Sequence, residues 1–279
     1  MNIGLIVIDG QVDFCEGGKL PVTGANLDMC NTAKFIEDNM DRLDIQLTLD
    51  SHYPFHIAHP LAWINSDGQQ PQPYTLIQEA DVCGQNPVWM ASNGLAPAPG
   101  YGSLSFQQVQ EDYIKTLYAS KRYPLVVWPY HCIIGTTGQS FQPDLCKAVL
   151  EWETTRRSVA ERFTKGSNLF TEHYSAIKAE VPVDFDPLTK VNPHLIDNLS
   201  QYDLLLWAGE ALDYCLANTF RDTVVELGLD AAKKMVILED CTSSVNAPGA
   251  ENLSKDFLDE ITAQGVKITT SDKVFTKTI

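Results

Sequence analysis

The stretch Leu204-Leu205-Leu206-Trp207-Ala208-Gly209-Glu210-Ala211-Leu212-Asp213-Tyr214-Cys215 runs apolar to a glycine, turns, and delivers a cysteine to the start of a predicted helix over Tyr214 to Leu227. Unpaired N–H groups and the macrodipole at a helix start favour negative charge, which lowers a thiol pKa and makes a nucleophile. The alternative is a small buried core cysteine. Asp9, after the first apolar run, and Lys165, after a middle one, could supply a base and a stabilising cation to Cys215 if the strands are parallel. Without that convergence Asp9 could as well cap a turn, and Lys165 could be a solvated surface lysine. A second set is Asp50, His52 and His131. Imidazole and carboxylate donors without thiolates suit Zn, Fe or Mn with positions left open for water or substrate. His56 and His59 lie in the same stretch and could be further ligands, partners of the ligands, or loop residues.

The elements that must position these groups alternate. Ile3 to Ile8 and Ile45 to Leu49 read as strands covered on both faces, each running into polar side chains. Further strands are expected at Ser158 to Phe163, from Leu204 to the glycine at Gly209, at Lys234 to Asp240, which ends in an acid, and at Val266 to Thr270. Helices are expected at Asn26 to Asn39, Phe106 to Tyr118, Pro143 to Glu153, Pro193 to Leu199 and Ala250 to Gln264, where Gly265 closes the last one. Such alternation implies a parallel sheet with right-handed crossovers, and ligands at the carboxyl ends of its strands. From Ala62 to Pro99 no period is visible and Pro, Gly, Gln and Asn are frequent, which reads as a functional insertion or lid. No repeat or linker divides the chain, so one domain over 1–279 is expected, with elaborated loop regions at about 62–124 and 144–199.

A net charge of −16 argues against binding nucleic-acid phosphates or an anionic membrane surface. Seven scattered cysteines without a C-x-x-C pair fit free thiols in a reducing compartment. The first apolar run stops at Asp9 and lacks a basic flank, so it reads as a strand and not as a signal peptide. No stretch approaches the roughly 18 apolar residues of a membrane span. A soluble, cytoplasmic chain is expected, with a homo-oligomer left open.

Five segments in order, Ile8-Asp9-Gly10-Gln11-Val12-Asp13-Phe14, Leu49-Asp50-Ser51-His52-Tyr53-Pro54-Phe55-His56-Ile57, Trp128-Pro129-Tyr130-His131-Cys132, Thr164-Lys165-Gly166 and Gly209-Glu210-Ala211-Leu212-Asp213-Tyr214-Cys215, resemble the motif set of the nicotinamidases, within the isochorismatase-like cysteine hydrolases. The resemblance implies a three-layer α/β/α sandwich with a mostly parallel, six-stranded sheet. It makes Asp9, Lys165 and Cys215 the catalytic triad, and Asp50, His52 and His131 the ligands of a divalent metal, zinc before iron or manganese. It assigns the oxyanion hole to the backbone N–H groups of Ala211 and Cys215, and implies a cis peptide between Glu210 and Ala211. Phe14 and Trp63 become candidates to stack on a pyridine ring. The implied activity is hydrolysis of nicotinamide to nicotinate and ammonia through a cysteine thioester, in the salvage of pyridine nucleotides.

The chain departs from the family pattern in places. Ser51 stands where a tryptophan is usual, Glu210 where an apolar residue is common, and Gly10 is smaller than usual; His173-Tyr174-Ser175-Ala176-Ile177 resembles the Tyr-Ser-Ala-Phe stretch after the lysine. These changes bear on pocket shape. The Ser51 and Glu210 changes motivate a second reading, another small-amide or N-carbamoyl hydrolase of the same superfamily. A third is a scaffold that keeps the metal pocket without catalysis.

Overall fold

The computed structural model describes residues 1–248 and 250–275. Six parallel strands form the central sheet: β1 (Ile3–Ile8), β2 (Leu43–Asp50), β3 (Glu161–Lys165), β4 (Leu204–Gly209), β5 (Met235–Leu238) and β6 (Lys267–Thr269). Their order is β6-β5-β4-β1-β2-β3. Every residue of β1 is buried, as a central strand covered on both faces requires. Trp152, on α3 (Pro143–Arg156), donates its indole N–H to the Leu43 carbonyl at 3.1 Å and so pins that helix to β2. α1 (Ala25–Asp38) packs beside α3. Trp207 of β4 meets Phe220 of α5 (Ala217–Leu227), and Phe220 meets Phe257 of α6 (Leu253–Ala263), with ring centroids 5.0 and 5.6 Å apart. Strand pairing and helix packing thus give the expected three-layer arrangement.

Registers carry the functional consequence. Ile8 pairs with Gly209, and Asp50 with Lys165, so the carboxyl ends of β4, β1, β2 and β3 form one rim. The sheet runs outward in both directions from β1, and the crevice at such a switch point is where ligands bind in open α/β sheets.

Several expected boundaries shift. β2 extends to Asp50 and β3 runs Glu161–Lys165, so both residues end strands where they were expected to follow them. The helix expected from Tyr214 begins as a π turn, Leu212–Leu216, and only then becomes α5. Region 62–124 holds one antiparallel pair of two-residue strands, Trp63–Ile64 with Met90–Ala91, and contributes Leu76–Ile77 to a second, whose partner Leu125–Val126 lies just beyond it. It also holds a helix, Phe106–Ser120, whose Ser105 and Gln108 form a capping box. Strands of two residues are too short to show a period, which is why this region read as irregular. Among the described residues, no helix is long and apolar enough to cross a membrane.

Candidate active site

Asp9 leaves β1 with a positive φ of 43° and is fully buried. Thr48 of β2 clasps it: the hydroxyl donates to Asp9 Oδ1 at 2.5 Å and accepts the Asp9 N–H at 3.0 Å. Gln11 ties the same two strand ends, accepting the Asp50 N–H at 2.7 Å and donating to the Asp50 carbonyl at 2.8 Å. Lys165, at the end of β3, reaches Asp9 Oδ2 at 2.9 Å, Asp50 Oδ1 at 3.1 Å, the His173 carbonyl at 3.0 Å and Cys215 Sγ at 3.5 Å. The Cys215 thiol also lies within hydrogen-bonding reach of Asp9. Gly166 completes this corner. It has a φ of 82°, and a Cβ there would stand 2.7 Å from both Asp50 Oδ1 and His52 Cε1.

The electrostatics differ from those expected at a helix start. Burial pushes the Cys215 thiol well above its usual value, with the Lys165 ammonium acting against it. Cys215 sits inside the π turn, packed and 7% exposed, so desolvation outweighs any dipole at the start of α5. Burial also raises the Asp9 carboxyl despite Lys165. Burial alone would raise Asp50, yet His52 and Lys165 hold it well below the carboxylate range. Lys165 is buried, which lowers it, but Asp50, Asp9 and Cys215 together lift it well above the usual lysine value.

His52, His59 and His131 gather beside this group, with one donor atom from each within 4.8 Å of the others. The ring nitrogens explain the arrangement. Nδ1 of His52 meets the Gly166 carbonyl at 2.9 Å, that of His131 the Pro129 carbonyl at 2.8 Å, and that of His59 the Tyr53 carbonyl at 3.2 Å. A backbone carbonyl takes a proton on Nδ1, leaving Nε2 as a bare donor; metal-binding imidazoles are oriented in this way. Asp50 Oδ2 lies 2.9 Å from His52 Nε2 and 3.3 Å from His131 Nε2, and His59 Nε2 is buried without a hydrogen-bond partner among the described residues. Burial drives His59 down to about 2, so the ring is neutral. Three imidazoles and one carboxylate, with His59 neutral and Asp50 ionised, fit a divalent cation. His56 does not join them, because its Nε2 meets the Thr171 carbonyl and its Nδ1 accepts the Ala58 N–H.

A pocket with about 330 Å³ of empty space, part of it open to solvent, connects the two groups. Phe14, Trp128, Tyr174 and Tyr214 give it aromatic walls, while Asp50, His131, Ala211 and Cys215 give it reactive ones. Phe14 also stands edge-on to His131, with centroids 5.5 Å apart. Glu172 lines the cavity too; its Oε1 accepts the His173 N–H and its Oε2 is buried without a hydrogen-bond partner among the described residues. Trp63 is elsewhere. It is fully buried in the core and donates its indole N–H to the Ile57 carbonyl at 2.6 Å, so it does not stack on a ligand. The peptide between Glu210 and Ala211 is cis. The structure therefore brings together Asp9, Lys165, Cys215, Ala211, Phe14, Asp50, His52 and His131, and leaves out Trp63. Thr48, Glu172 and the ligating geometry of His59 escaped sequence reasoning. His59 alone had a signal, its place in the histidine-rich run.

No family profile matches the chain. A nicotinamidase of Escherichia coli (strain K12) is 26% identical over 241 residues, covering 85% of this chain and 81% of its own. Among solved structures, a nicotinamidase/pyrazinamidase of Acinetobacter baumanii superposes with a TM-score of 0.61 at 22% identity, covering 98% of both chains. The yeast nicotinamidase bound to the inhibitor nicotinaldehyde gives 0.60 at 19%, covering 96% of this chain and 99% of its own. The pyrazinamidase of Pyrococcus horikoshii in complex with zinc gives 0.54 at 18%, covering 97% and 99%. In sequence along most of its length, and in fold along nearly all of it, the chain is similar to the nicotinamidases.

Proposed function

We propose that this chain is a nicotinamidase, hydrolysing nicotinamide to nicotinate and ammonia through a thioester on Cys215. The observation that carries the reading is the meeting of Cys215 Sγ with Lys165 and Asp9 at one wall of an aromatic cavity whose other wall holds His131 and Asp50. The similarity to the Escherichia coli nicotinamidase, and the nicotinaldehyde held by the yeast enzyme of the same fold, support nicotinamide as the substrate.

Asp9 takes the Cys215 proton as the sulfur attacks the carboxamide carbon, and Lys165 holds the Asp9 carboxylate in place while the charge moves. The N–H groups of Ala211 and Cys215 face the oxyanion. A single donor of this kind is worth about 10²–10³ in rate. The proton on Asp9 passes to the departing nitrogen, ammonia leaves, and the thioester remains. Asp9 then draws one proton from water as the water attacks the thioester and returns it to the departing sulfur, and the acid formed gives its own proton to solvent and leaves as nicotinate. His52, His59, His131 and Asp50 would hold the metal, zinc by its match to this donor set and by the zinc in the Pyrococcus horikoshii enzyme. When bound, the ion supplies a Lewis-acid anchor that orients the substrate, its natural partner on nicotinamide being the pyridine nitrogen. Phe14, Trp128 and Tyr214 confine the ring.

We place this chemistry in one domain over 1–279 and in the cytoplasm, in keeping with seven free cysteines. The departures that motivated a different amide lie outside the cavity: Ser51 Oγ accepts from Gln139 Nε2 at 2.8 Å, and Glu210 Oε2 accepts the Ser243 N–H at 3.1 Å. Ammonia release from nicotinamide, pyrazinamide and an N-carbamoyl amine is the test. Turnover of nicotinamide is expected; turnover of the N-carbamoyl compound alone would end this reading.

A further inference from the structure

Glu210 is fully buried beside the nucleophile, and no catalytic step uses it. Its carboxyl lies within hydrogen-bonding reach of that of Asp28, which is 6% exposed in the first turn of α1. One oxygen on each, Glu210 Oε1 and Asp28 Oδ2, is buried with no donor among the described residues. Two ionised carboxylates cannot make that contact, since neither has a hydrogen to donate and both are acceptors. One proton between them resolves both orphaned atoms and the repulsion together.

The surroundings decide where the remaining negative charge rests. Asp28 lies at the positive end of α1 and hydrogen-bonds Ser243, both of which favour an ionised Asp28. Glu210 lies deeper and accepts only the Ser243 N–H. The other titratable groups that bear on the pair are Asp213 of the nucleophile turn, Cys15 and Glu16 before α1, and Asp240 and Cys241 after β5. None of these is a cation. Burial first, and Asp28 second, push the Glu210 carboxyl well above the usual range.

We infer that Asp28 and Glu210 share one proton at neutral pH, and that this pair positions the turn carrying Ala211 and Cys215. The connection is short. Ser243 gives its N–H to Glu210 Oε2 and takes the Leu212 N–H on its carbonyl at 2.8 Å, so both sides of Ala211 are fastened to one residue. Asp213 takes the N–H groups of Val245 and Asn246, and Val245 lines the cavity. α1, the nucleophile turn and the loop after β5 thus meet at the shared proton. The catalytic half of this inference rests on the proposed nicotinamidase reaction; the shared proton does not.

Infrared difference spectra at neutral pH, wild type against Glu210→Gln, test the proton directly. A protonated-carboxyl C=O band present in wild type and lost in Glu210→Gln is expected, and its absence from wild type overturns the inference. Asp28→Asn is the second variant, which loses the same band because Asn donates to Glu210 without a shared proton. The thermal midpoint gives a further readout without substrate. An acid whose folded pKa is raised loses stability as pH rises from the unfolded carboxylate pKa towards the folded one. That slope should flatten in Glu210→Gln, and an unchanged slope counts against the pair. For the positioning role, Glu210→Ala should lower kcat about 10-fold or more with KM little changed, and Glu210→Gln should recover most of the loss. Equal kcat in wild type and Glu210→Ala overturns it. If wild type fails to hydrolyse nicotinamide while the band is present, the proposed function fails and the proton pair stands.

Discussion

Replacing Lys165 with methionine removes the one ammonium that faces two buried carboxylates and the thiol. Its contacts of 2.9 Å to Asp9 and 3.1 Å to Asp50 are each worth about 5–6 kcal/mol of Coulomb attraction at an effective dielectric of about 20. The cost of burying the ammonium offsets a good part of this, and breaking a buried pair from one side nets about 3–5 kcal/mol of lost stability. That corresponds to a midpoint lower by roughly 6–20 °C. Urea unfolding in chelator is the assay, because a bound cation would compensate Asp50. The pH dependence has a definite sign. In wild type the depressed Asp50 stabilises above its unfolded pKa, and this is lost as pH falls through its folded value; the raised Lys165 stabilises below its unfolded pKa, and this is lost as pH rises through its folded value. In Lys165→Met, Asp9 loses the charge that opposed its burial and rises further, so the variant loses stability as pH climbs out of the carboxylate range. The deficit against wild type should therefore be larger at about pH 8 than at about pH 5. A variant within about 1 kcal/mol of wild type at both pH values, below the expected range, would refute the reasoning.

Cys215→Ala should lower ammonia release by about 10⁴-fold or more while zinc content stays at the wild-type level; residual turnover close to wild type would remove the thioester. His59→Ala should weaken zinc binding at least about 10-fold in competition with a chromogenic chelator, and an unchanged Kd would take His59 out of the ligand set. Trp63→Phe should lose about 1–3 kcal/mol of stability, from the unpaired Ile57 carbonyl, with kcat and KM unchanged; a KM effect would return Trp63 to the pocket. At neutral pH, iodoacetamide should modify exposed Cys30 before Cys215, read by peptide mass spectrometry, because burial keeps Cys215 a thiol. Faster modification of Cys215 would show a standing thiolate.

The rim was legible because parallel strands ending in chemically active residues must place those ends together. Ile3 to Ile8 runs into Asp9, the strand through Leu49 into Asp50, and Leu204 to Gly209 into the cysteine turn, and the observed registers align these ends. Other features depend on facts that residue type does not carry. His56 and His59 are equivalent in the sequence, and only the backbone carbonyl that each ring nitrogen meets separates the ligand candidate from its neighbour. Trp63 read as a ring-stacking residue because an aromatic residue close to metal-competent side chains has no local mark of being core; its Ile57 hydrogen bond decides the matter. Glu172 gave no signal, since its importance lies in an oxygen left without a donor inside the cavity. The direction of the Cys215 shift was also hidden. A helix start can be read from a turn and a period, but the depth of burial that outweighs its dipole cannot.

That reversal changes how the nucleophile is to be understood. A standing thiolate would need its burial cost met before substrate arrives, and Lys165 alone does not meet it, since Asp9 and Asp50 already share its charge. Burial raises Asp9 as well, against the pull of Lys165, so it disfavours the charged forms of the thiol and of its base alike. The proton then moves most readily as the sulfur–carbon bond forms, when negative charge passes to an oxygen facing the N–H groups of the nucleophile turn. On this view Lys165 keeps Asp9 ionised, and so free to accept the proton, and the turn receives the charge that the buried sulfur cannot hold. Preorganisation of that turn, through Ser243, Glu210 and Asp213, becomes as important to the rate as the acidity of the thiol.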